Sequence, residues 1–379
     1  MLDAYLGITP ALLRAFNLGA LDIIYNVLRY FAYTILVIYF FVHGKFIAFR
    51  GYSILFFSLF LSLILGAFYW NFNQYYLKHI ISFSLPIIGL ITGIIAFRYN
   101  KEYLEQITSL FVKYAIFAIC GVWLYFFLYI IGIVTYLGVS NAMVLVIAAS
   151  FANKKNSLTF LALVGLALAG KRSDLICGLI ILYVFAKSKG GYFQDILFAL
   201  ILSIFIALIY YFLPDVVKRF ALIYDALREI DYQNINLDLL NLATSGRIHD
   251  MELALNLIDE PWKFITGAGA GYWYFLDADY IVYYSHFTPI SYLVLGGGIL
   301  LCWVWVFIFG VFFNSEKSNR DFYYYAALYY VLISLIGGAV LFTSIFGWFC
   351  IGVVYARNKE NKINTKRKVS KRHILFEDI

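Results

Sequence analysis

Charged residues are scarce in this sequence: only 13% of its 379 residues are Asp, Glu, Lys or Arg, whereas 63% are hydrophobic. Ordinary soluble domains carry about 25% charged residues, so this composition excludes that class. It is typical of a polytopic membrane protein, which crosses the bilayer with helices of about 20 apolar residues. We expect no cleaved signal peptide, because Asp3 precedes any basic residue and no small-residue cleavage pattern follows it.

Cysteine is also rare, and no metal-binding pattern is present. The four cysteines all lie inside apolar stretches, without CxxC or Cys/His spacing: Cys120, Cys177, Cys302 and Cys350. We expect them to pack as small apolar residues without disulfide or metal roles. Nothing resembles a serine or cysteine triad, a Walker loop or an HExxH helix, so the sequence predicts no metal and no cofactor.

Long apolar stretches predict an all-α polytopic integral membrane protein with about eleven or twelve transmembrane helices. The eleven predicted spans are residues 21–43, 51–70, 79–97, 107–131, 133–151, 157–170, 173–187, 192–213, 286–313, 321–337 and 340–357. Residues 4–19 are apolar but short, and they either lie in the interface, re-enter or cross as a twelfth span. The predicted organisation is N-terminal helices in 1–213, a large loop in 214–285, C-terminal helices in 286–357 and a basic tail in 358–379.

The distribution of Lys and Arg predicts which side each loop occupies. A net charge of +7 would suggest nucleic acid in a soluble protein. Here the positive charge is concentrated in the tail after the last span and in the short loops on that side. The positive-inside rule therefore places the C-terminus in the cytoplasm, near anionic membrane lipids, and the large loop outside. We expect no nucleic-acid partner.

A short hairpin carries cations at membrane depth. A helix over residues 157–170 would reach only about 21 Å, less than the bilayer core of about 30 Å. Its turn, from Gly170 to Asp174, therefore places Lys171 and Arg172 below the outer surface, where charge is unfavourable unless it lines a polar cavity or binds an anion. Arg172 either extends to lipid headgroups or pairs with Asp174, or it holds a phosphate.

The large loop contains a further cation, Arg247, in a pattern that indicates anion binding. Arg247 follows Thr244, Ser245 and Gly246, and precedes an amphipathic run that predicts a surface helix, residues 248–258. Thr244 or Ser245 is the predicted cap of that helix. An arginine in the first turn opposes the helix dipole, but beside a phosphate the guanidinium and the helix N-terminus act together.

Further candidates surround Arg247 in the loop and follow it. His286 opens the next apolar span, where it either caps the helix or accepts a proton from a substrate. His249 and Asp250 are alternative acid/base groups, and Arg219 is a further phosphate contact. Asp250 and His286 are thus both predicted as bases, and the sequence does not choose between them.

A glycine-rich segment with aromatic neighbours completes the loop. Gly267, Gly269 and Gly271 do not have the spacing of a dinucleotide-binding loop, so they predict a turn that lets backbone approach a ligand. The aromatic residues that follow, Tyr272 and Trp273 first among them, form either a membrane-interface belt or a platform for sugars.

The order of these motifs resembles the O-antigen polymerase and ligase superfamily over roughly residues 154–351. The features that carry the resemblance are Lys171-Arg172-Ser173, one large outer loop with Ser245-Gly246-Arg247, then Gly267-Ala268-Gly269, and His286 before a span with Gly296, Gly297 and Gly298. The resemblance implies Arg172 and Arg247 as the residues that grip pyrophosphate, and His286 as the counterpart of an essential histidine of the ligases.

The resemblance also implies a reaction, a location and partners. Members of the superfamily transfer a saccharide from undecaprenyl pyrophosphate to a sugar hydroxyl at the periplasmic face of the bacterial inner membrane, in lipopolysaccharide biosynthesis. The aromatic-rich loop favours a polymerase of lipid-linked oligosaccharide repeats, with a chain-length regulator and a flippase as partners. The alternatives are an O-antigen ligase, which transfers polymer to lipid A-core, and a flippase or other transporter of lipid-linked oligosaccharide.

Overall fold

The computed structural model describes most of the chain as helices. It covers residues 53–134, 142–168, 171–189, 246–277, 280–316, 320–336 and 340–377, with single residues between 24 and 42 and at 211, 241, 244 and 338. Helices account for 81% of the structure. The helices described before the large loop are α1 Ser53–Trp70, α2 Gln74–Tyr99, α3 Lys101–Lys113, α4 Ala115–Ile130, α5 Ala142–Ala152, α6 Asn156–Leu168 and α7 Arg172–Lys189.

The large loop and the C-terminal helices follow. The described part of the loop contains α8 Arg247–Leu255, α9 Pro261–Thr266 and an antiparallel hairpin of β1 Tyr274–Asp277 and β2 Tyr280–Val282. The remaining helices are α10 Thr288–Phe313, α11 Phe322–Ile336, α12 Val340–Thr343 and α13 Ile345–Glu377. The described part of the loop therefore consists of short elements that pack on the helices.

Several of the described helices suit a membrane. Three stretches are long and apolar enough to cross one: Gln74–Tyr99, Lys101–Ile130 and Thr288–Phe313. Shorter apolar helices accompany them in α1, α5, α6 and α11. The chain is thus a mainly α-helical, membrane-associated protein. The predicted spans at 4–19 and 192–213, and most of 21–43, lie outside the described residues.

Helices α2 and α13 pack through a small-residue motif. Gly89 and Gly93 are four residues apart on α2, and Gly352 faces them from α13. A Cβ at Gly93 would lie 2.1 Å from the Phe349 carbonyl oxygen, and one at Gly352 would lie 2.2 Å from that of Leu90. Only glycine permits this backbone approach, which is the geometry of small-xxx-small contacts between membrane helices.

The helix bundle has two ends. We call the end on which the described part of the large loop packs the loop end. At the loop end, α1 and α11 finish, whereas α2, α7 and α10 begin. Helix α13 begins beside the middle of α2, where Ile345 packs on Gly89. The opposite end is joined by ion pairs between Lys101 and Glu360 at 3.2 Å, and between Arg357 and Asp321 at 2.5 Å. The residues of the candidate site lie at the loop end.

Several helices differ from their predicted form, among them the span 340–357, which is divided between α12 and α13. The predicted span 107–131 is two helices, which meet at Tyr114, the residue that joins α3 to α4. Helix α10 breaks at Gly297, whose φ is 67°. Helix α13 continues to Glu377, so most of the predicted tail 358–379 is helical. This polar stretch contains no glycine or proline that would end the helix.

Candidate functional site

Asp250 is the centre of the hydrogen bonds at the loop end. It lies in the first turn of α8, and its side chain is buried. The carboxylate accepts hydrogen bonds from the Tyr274 hydroxyl at 2.7 Å, the Ser285 hydroxyl at 2.8 Å and the backbone N–H of His286 at 2.8 Å. One buried carboxylate therefore ties α8 to the β hairpin and to the segment that enters α10.

Two opposing effects act on the pKa of Asp250. Burial raises it, because the charged form loses its hydration. Hydrogen bonds from His286, Tyr274 and Ser285 stabilise the carboxylate and hold the pKa below its ordinary value. Burial first, and then the Asp250 charge, raise the pKa of the Tyr274 hydroxyl. Asp250 is therefore an ionised anchor and does not have the character of a base that takes a proton from a substrate.

His286 presents its ring at the surface beside this anchor. Its Nδ1 atom lies 3.5 Å from Asp250 Oδ2, and 44% of its side chain is exposed. A carboxylate next to one ring nitrogen orients the imidazole and leaves the other nitrogen for proton transfer. The sequence predicted His286 and Asp250 as alternative bases. The geometry favours His286 as the base and Asp250 as the group that orients it.

Arg247 opens the same helix one turn before Asp250. Residues three apart share a helix face, so the two side chains are neighbours along α8. The Arg247 guanidinium is half-buried, and its Nη1 donates a hydrogen bond to the Ile336 carbonyl at 3.3 Å. Ile336 ends α11, so this contact joins α8 to the loop end of a buried helix.

The start of α8 differs from the prediction. Thr244 and Ser245 were the predicted caps, but the N-cap is Gly246, with a φ of 81° and no side-chain cap bond. The Thr244 hydroxyl instead donates to the Asn241 carbonyl at 3.2 Å, and Ser245 lies outside the described residues. Glycine is suited to this position because the backbone enters the helix through a left-handed conformation.

Lys171 and Asp174 form a buried polar cluster beside Arg247. The Lys171 ammonium lies 3.3 Å from Asp174 Oδ2, and the Asp174 side chain is fully buried. Tyr329, on α11, donates its hydroxyl to Asp174 Oδ1 at 3.0 Å. The positive charge of Arg247 also acts on the same carboxylate. Two cations thus interact with one carboxylate, so the three side chains together carry a positive charge.

The other predicted cations and the second histidine have different positions. Arg172 is the first residue of α7, next to Lys171, and its side chain lies outside the described part of the structure, as does the whole of Arg219. Their phosphate roles stay predictions. The sequence suggested Arg172 as the partner of Asp174. In the structure, Asp174 pairs with Lys171, the residue before Arg172. His249 is exposed and faces Glu252 at 3.9 Å. The structure therefore brings together Lys171, Arg247, Asp250 and His286, but not His249.

Within the described residues, no group of three or more His, Cys, Asp or Glu is arranged to hold a metal ion. The chain matches no family model, no curated protein and no solved structure.

The glycine-rich segment, Gly267 to Gly271, packs against helices. The Ala268 N–H donates to the Val294 carbonyl at 2.6 Å, where the break in α10 leaves that carbonyl without a helical partner. The Ala270 N–H donates to the Ser62 carbonyl on α1 at 2.8 Å. The prediction was a turn open to a ligand. The backbone approach that these glycines permit is instead to α1 and α10.

The two aromatic candidates after this segment have different environments. Tyr272 is fully buried, and its ring centroid lies 4.6 Å from that of His79. Such a ring has no face available to a sugar in this structure. Trp273 is half-buried and contacts Tyr75 and Phe275 at centroid distances of 6.1 and 5.2 Å. Of the two, only Trp273 keeps a surface that a ligand can reach.

Replacing Gly269 with alanine is expected to lower the free energy of unfolding by about 2–5 kcal/mol. Its φ is +84°, and a Cβ would lie 2.5 Å from the Gly66 backbone nitrogen. Thermal unfolding of the purified protein in detergent measures the effect. Gly310→Ala is the control, because no atom lies within 4 Å of a Cβ there. Equal unfolding midpoints for the two variants would contradict the packing described here.

His79 is a buried residue that the sequence analysis did not select. Its Nδ1 accepts a hydrogen bond from the Gly271 N–H at 2.7 Å, and its Nε2 lies 2.5 Å from the Tyr283 carbonyl oxygen. These partners require a neutral ring with its proton on Nε2. His79 therefore connects α2, the glycine segment and the strand that leads to His286. A single histidine in an apolar span gives no sequence signal for such a role.

Proposed function

We propose that this protein is a membrane glycosyltransferase that polymerises undecaprenyl-pyrophosphate-linked oligosaccharide repeats into O-antigen or a related surface polysaccharide. The observation that carries the proposal is the placement of two kinds of group on α8. Arg247 lies beside Lys171 and Asp174, and one helical turn later Asp250 holds His286. A cationic cluster and an oriented base thus lie next to each other.

Such a pair of groups suits the transfer of a sugar from a lipid pyrophosphate. The acceptor hydroxyl oxygen bonds to the anomeric carbon of the donor as its proton passes to the exposed nitrogen of His286. The bond between that carbon and the pyrophosphate oxygen breaks, and its electron pair stays on the pyrophosphate. Arg247 and Lys171 stabilise the charge that develops there. Attack opposite the leaving group inverts the anomeric centre.

The charge distribution supports a reaction at the outer face of the bacterial inner membrane. The loop end, which contains the candidate site, includes the described part of the long loop. The opposite end includes Lys101, Lys154, Arg320 and the start of the basic tail. By the positive-inside rule, that end is cytoplasmic and the loop end is periplasmic. A lipid-linked oligosaccharide would then reach the site from the outer leaflet.

A deletion strain tests the polymerase activity. Lipopolysaccharide from cells that lack the protein is expected to show core with one repeat unit, and wild-type protein should restore the ladder. Core without any repeat, together with accumulated lipid-linked polymer, would indicate the ligase. An unchanged ladder would contradict both reactions. Core without any repeat and without accumulated lipid-linked polymer would favour transport.

A further inference from the structure

A row of aromatic rings leads from the surface of the loop end to His286. The Tyr75 and Tyr283 rings are stacked, with centroids 6.0 Å apart and planes 27° apart. Tyr283 lies 4.8 Å from Tyr284, and Tyr284 lies 6.3 Å from the His286 imidazole. The row thus joins the first turn of α2 to the candidate base.

Two more rings and a cation widen the outer part of this row. Trp273 lies 6.1 Å from Tyr75, and Phe275, which is 50% exposed, lies 5.2 Å from Trp273. The Lys78 ammonium lies over the Tyr75 and Tyr283 rings, at 4.9 and 5.0 Å from their centroids. Tyr75, Trp273 and Tyr283 are half-buried, so part of each remains accessible. We refer to Tyr75, Lys78, Trp273, Phe275, Tyr283 and Tyr284 as the aromatic row.

The arrangement of the row differs from that of aromatic side chains that face lipid. Phe68, near the same end of the bundle, is 78% exposed on α1, as expected for a side chain at the membrane perimeter. Rings of the row instead contact one another across α2, the β hairpin and the segment before α10. Contact among three chain segments, with a cation over two rings, builds a surface with a fixed shape.

We infer that the aromatic row binds the acceptor saccharide and directs its terminal hydroxyl toward His286. The inference rests on the proposed function and specifies the part of the site that takes the acceptor. Aromatic faces carry negative charge density, which attracts the polarised C–H groups of a sugar ring. Tyrosine hydroxyls and the Lys78 ammonium supply hydrogen bonds at the edges of the rings. Because the row ends at His286, a sugar bound along it has one end at the base.

Binding of lipid-free oligosaccharide to the purified protein tests this inference. The probe is a set of oligosaccharides released by partial acid hydrolysis of the producing strain's own surface polysaccharide, and calorimetry measures the affinity. Tyr283→Leu and Tyr75→Leu are expected to lower the affinity about tenfold each, the scale of one lost aromatic contact. Tyr283→Phe keeps the ring and should stay within about twofold of the wild type, a change of less than 0.5 kcal/mol. Phe68→Leu is the matched control outside the row and should bind normally.

Three results would overturn the inference. The first is that the wild-type protein does not bind the oligosaccharides. The second is that the Leu variants and the wild type bind them with equal affinity. The third is that the Leu variants lose only their association with vesicles of phosphatidylethanolamine and phosphatidylglycerol. The third result would identify the row as a membrane-interface belt.

The Arg247→Ala variant separates this inference from the proposed function. It should still bind the lipid-free oligosaccharide, because the probe carries no pyrophosphate. If Arg247→Ala stops polymerisation while the Leu variants bind and polymerise normally, the proposed function stands and the aromatic row has no role in binding. If the rings control binding but Arg247→Ala polymerises normally, the proposed function is contradicted instead.

Discussion

Arg247→Ala is expected to abolish long polysaccharide while the protein still folds and inserts into the membrane. The guanidinium lies beside Lys171 and Asp174, at the N-terminus of α8, where it would stabilise the charge that develops on a leaving pyrophosphate. Loss of one such group lowers the rate of charge-developing reactions by about 10²–10³-fold. The measurement is the polysaccharide ladder from cells that produce the variant, normalised to the amount of protein in the membrane.

Two further variants make the Arg247 result specific. Arg98→Ala removes an exposed arginine from the last turn of α2, at the opposite end of the bundle, and should leave the ladder unchanged. Arg247→Lys keeps the positive charge but loses the planar fork of donors, so chains of intermediate length are expected. A normal ladder from Arg247→Ala would remove the pyrophosphate role from this residue. Unfolding temperatures of the purified variants show whether the lost Ile336 contact affects stability.

His286→Ala is expected to lower the rate of chain growth by about 10²–10⁴-fold, the usual contribution of a general base. The ring is exposed while its Nδ1 faces Asp250, so its removal takes away the proton acceptor without opening the packed interior. Because Arg247 and Lys171 remain, binding of the lipid-linked donor should change little. Single-turnover rates and donor affinity, measured on the purified variant in lipid vesicles, separate the two effects.

The matched control for this variant is His249→Ala. His249 is on α8, is similarly exposed at 47% and pairs with Glu252 instead of Asp250. Chain growth should therefore remain close to the wild-type rate. Equal rates for the two histidine variants would show that His286 is not the base, and a loss confined to His249→Ala would move that role to the helix surface.

Composition and hydrophobic runs were sufficient to predict the coarse fold. The prediction of a mainly helical membrane protein is confirmed, because three described stretches are long and apolar enough to cross a membrane and most of the runs 51–70, 157–170, 173–187 and 321–337 is described as helix. The number of spans and the side of the large loop stay predictions. The break of α10 at Gly297 could not be predicted, because it depends on the close approach of Ile265 from another part of the chain.

Chemistry and position in the chain were sufficient to select most of the candidate site. Lys171 and His286 stand out in the sequence as polar groups at the borders of apolar spans, and Arg247 and Asp250 stand out at the start of the amphipathic run in the large loop. The pairing of Asp250 with His286 joins residues 36 apart, and no local pattern encodes it. The sequence left Tyr272 as part of either a membrane-interface belt or a platform for sugars. The structure buries it, since the glycines before it bring its backbone against α1 and α2.

The most direct test of the proposed function is chain growth by the purified protein in lipid vesicles, supplied only with the undecaprenyl-pyrophosphate-linked repeat. Products are separated by length, and released undecaprenyl pyrophosphate is quantified at the same time. The proposal predicts that chains lengthen with one lipid pyrophosphate released per repeat added, and that Arg247→Ala produces neither. Movement of intact lipid-linked repeats across the bilayer without any new glycosidic bond would contradict it.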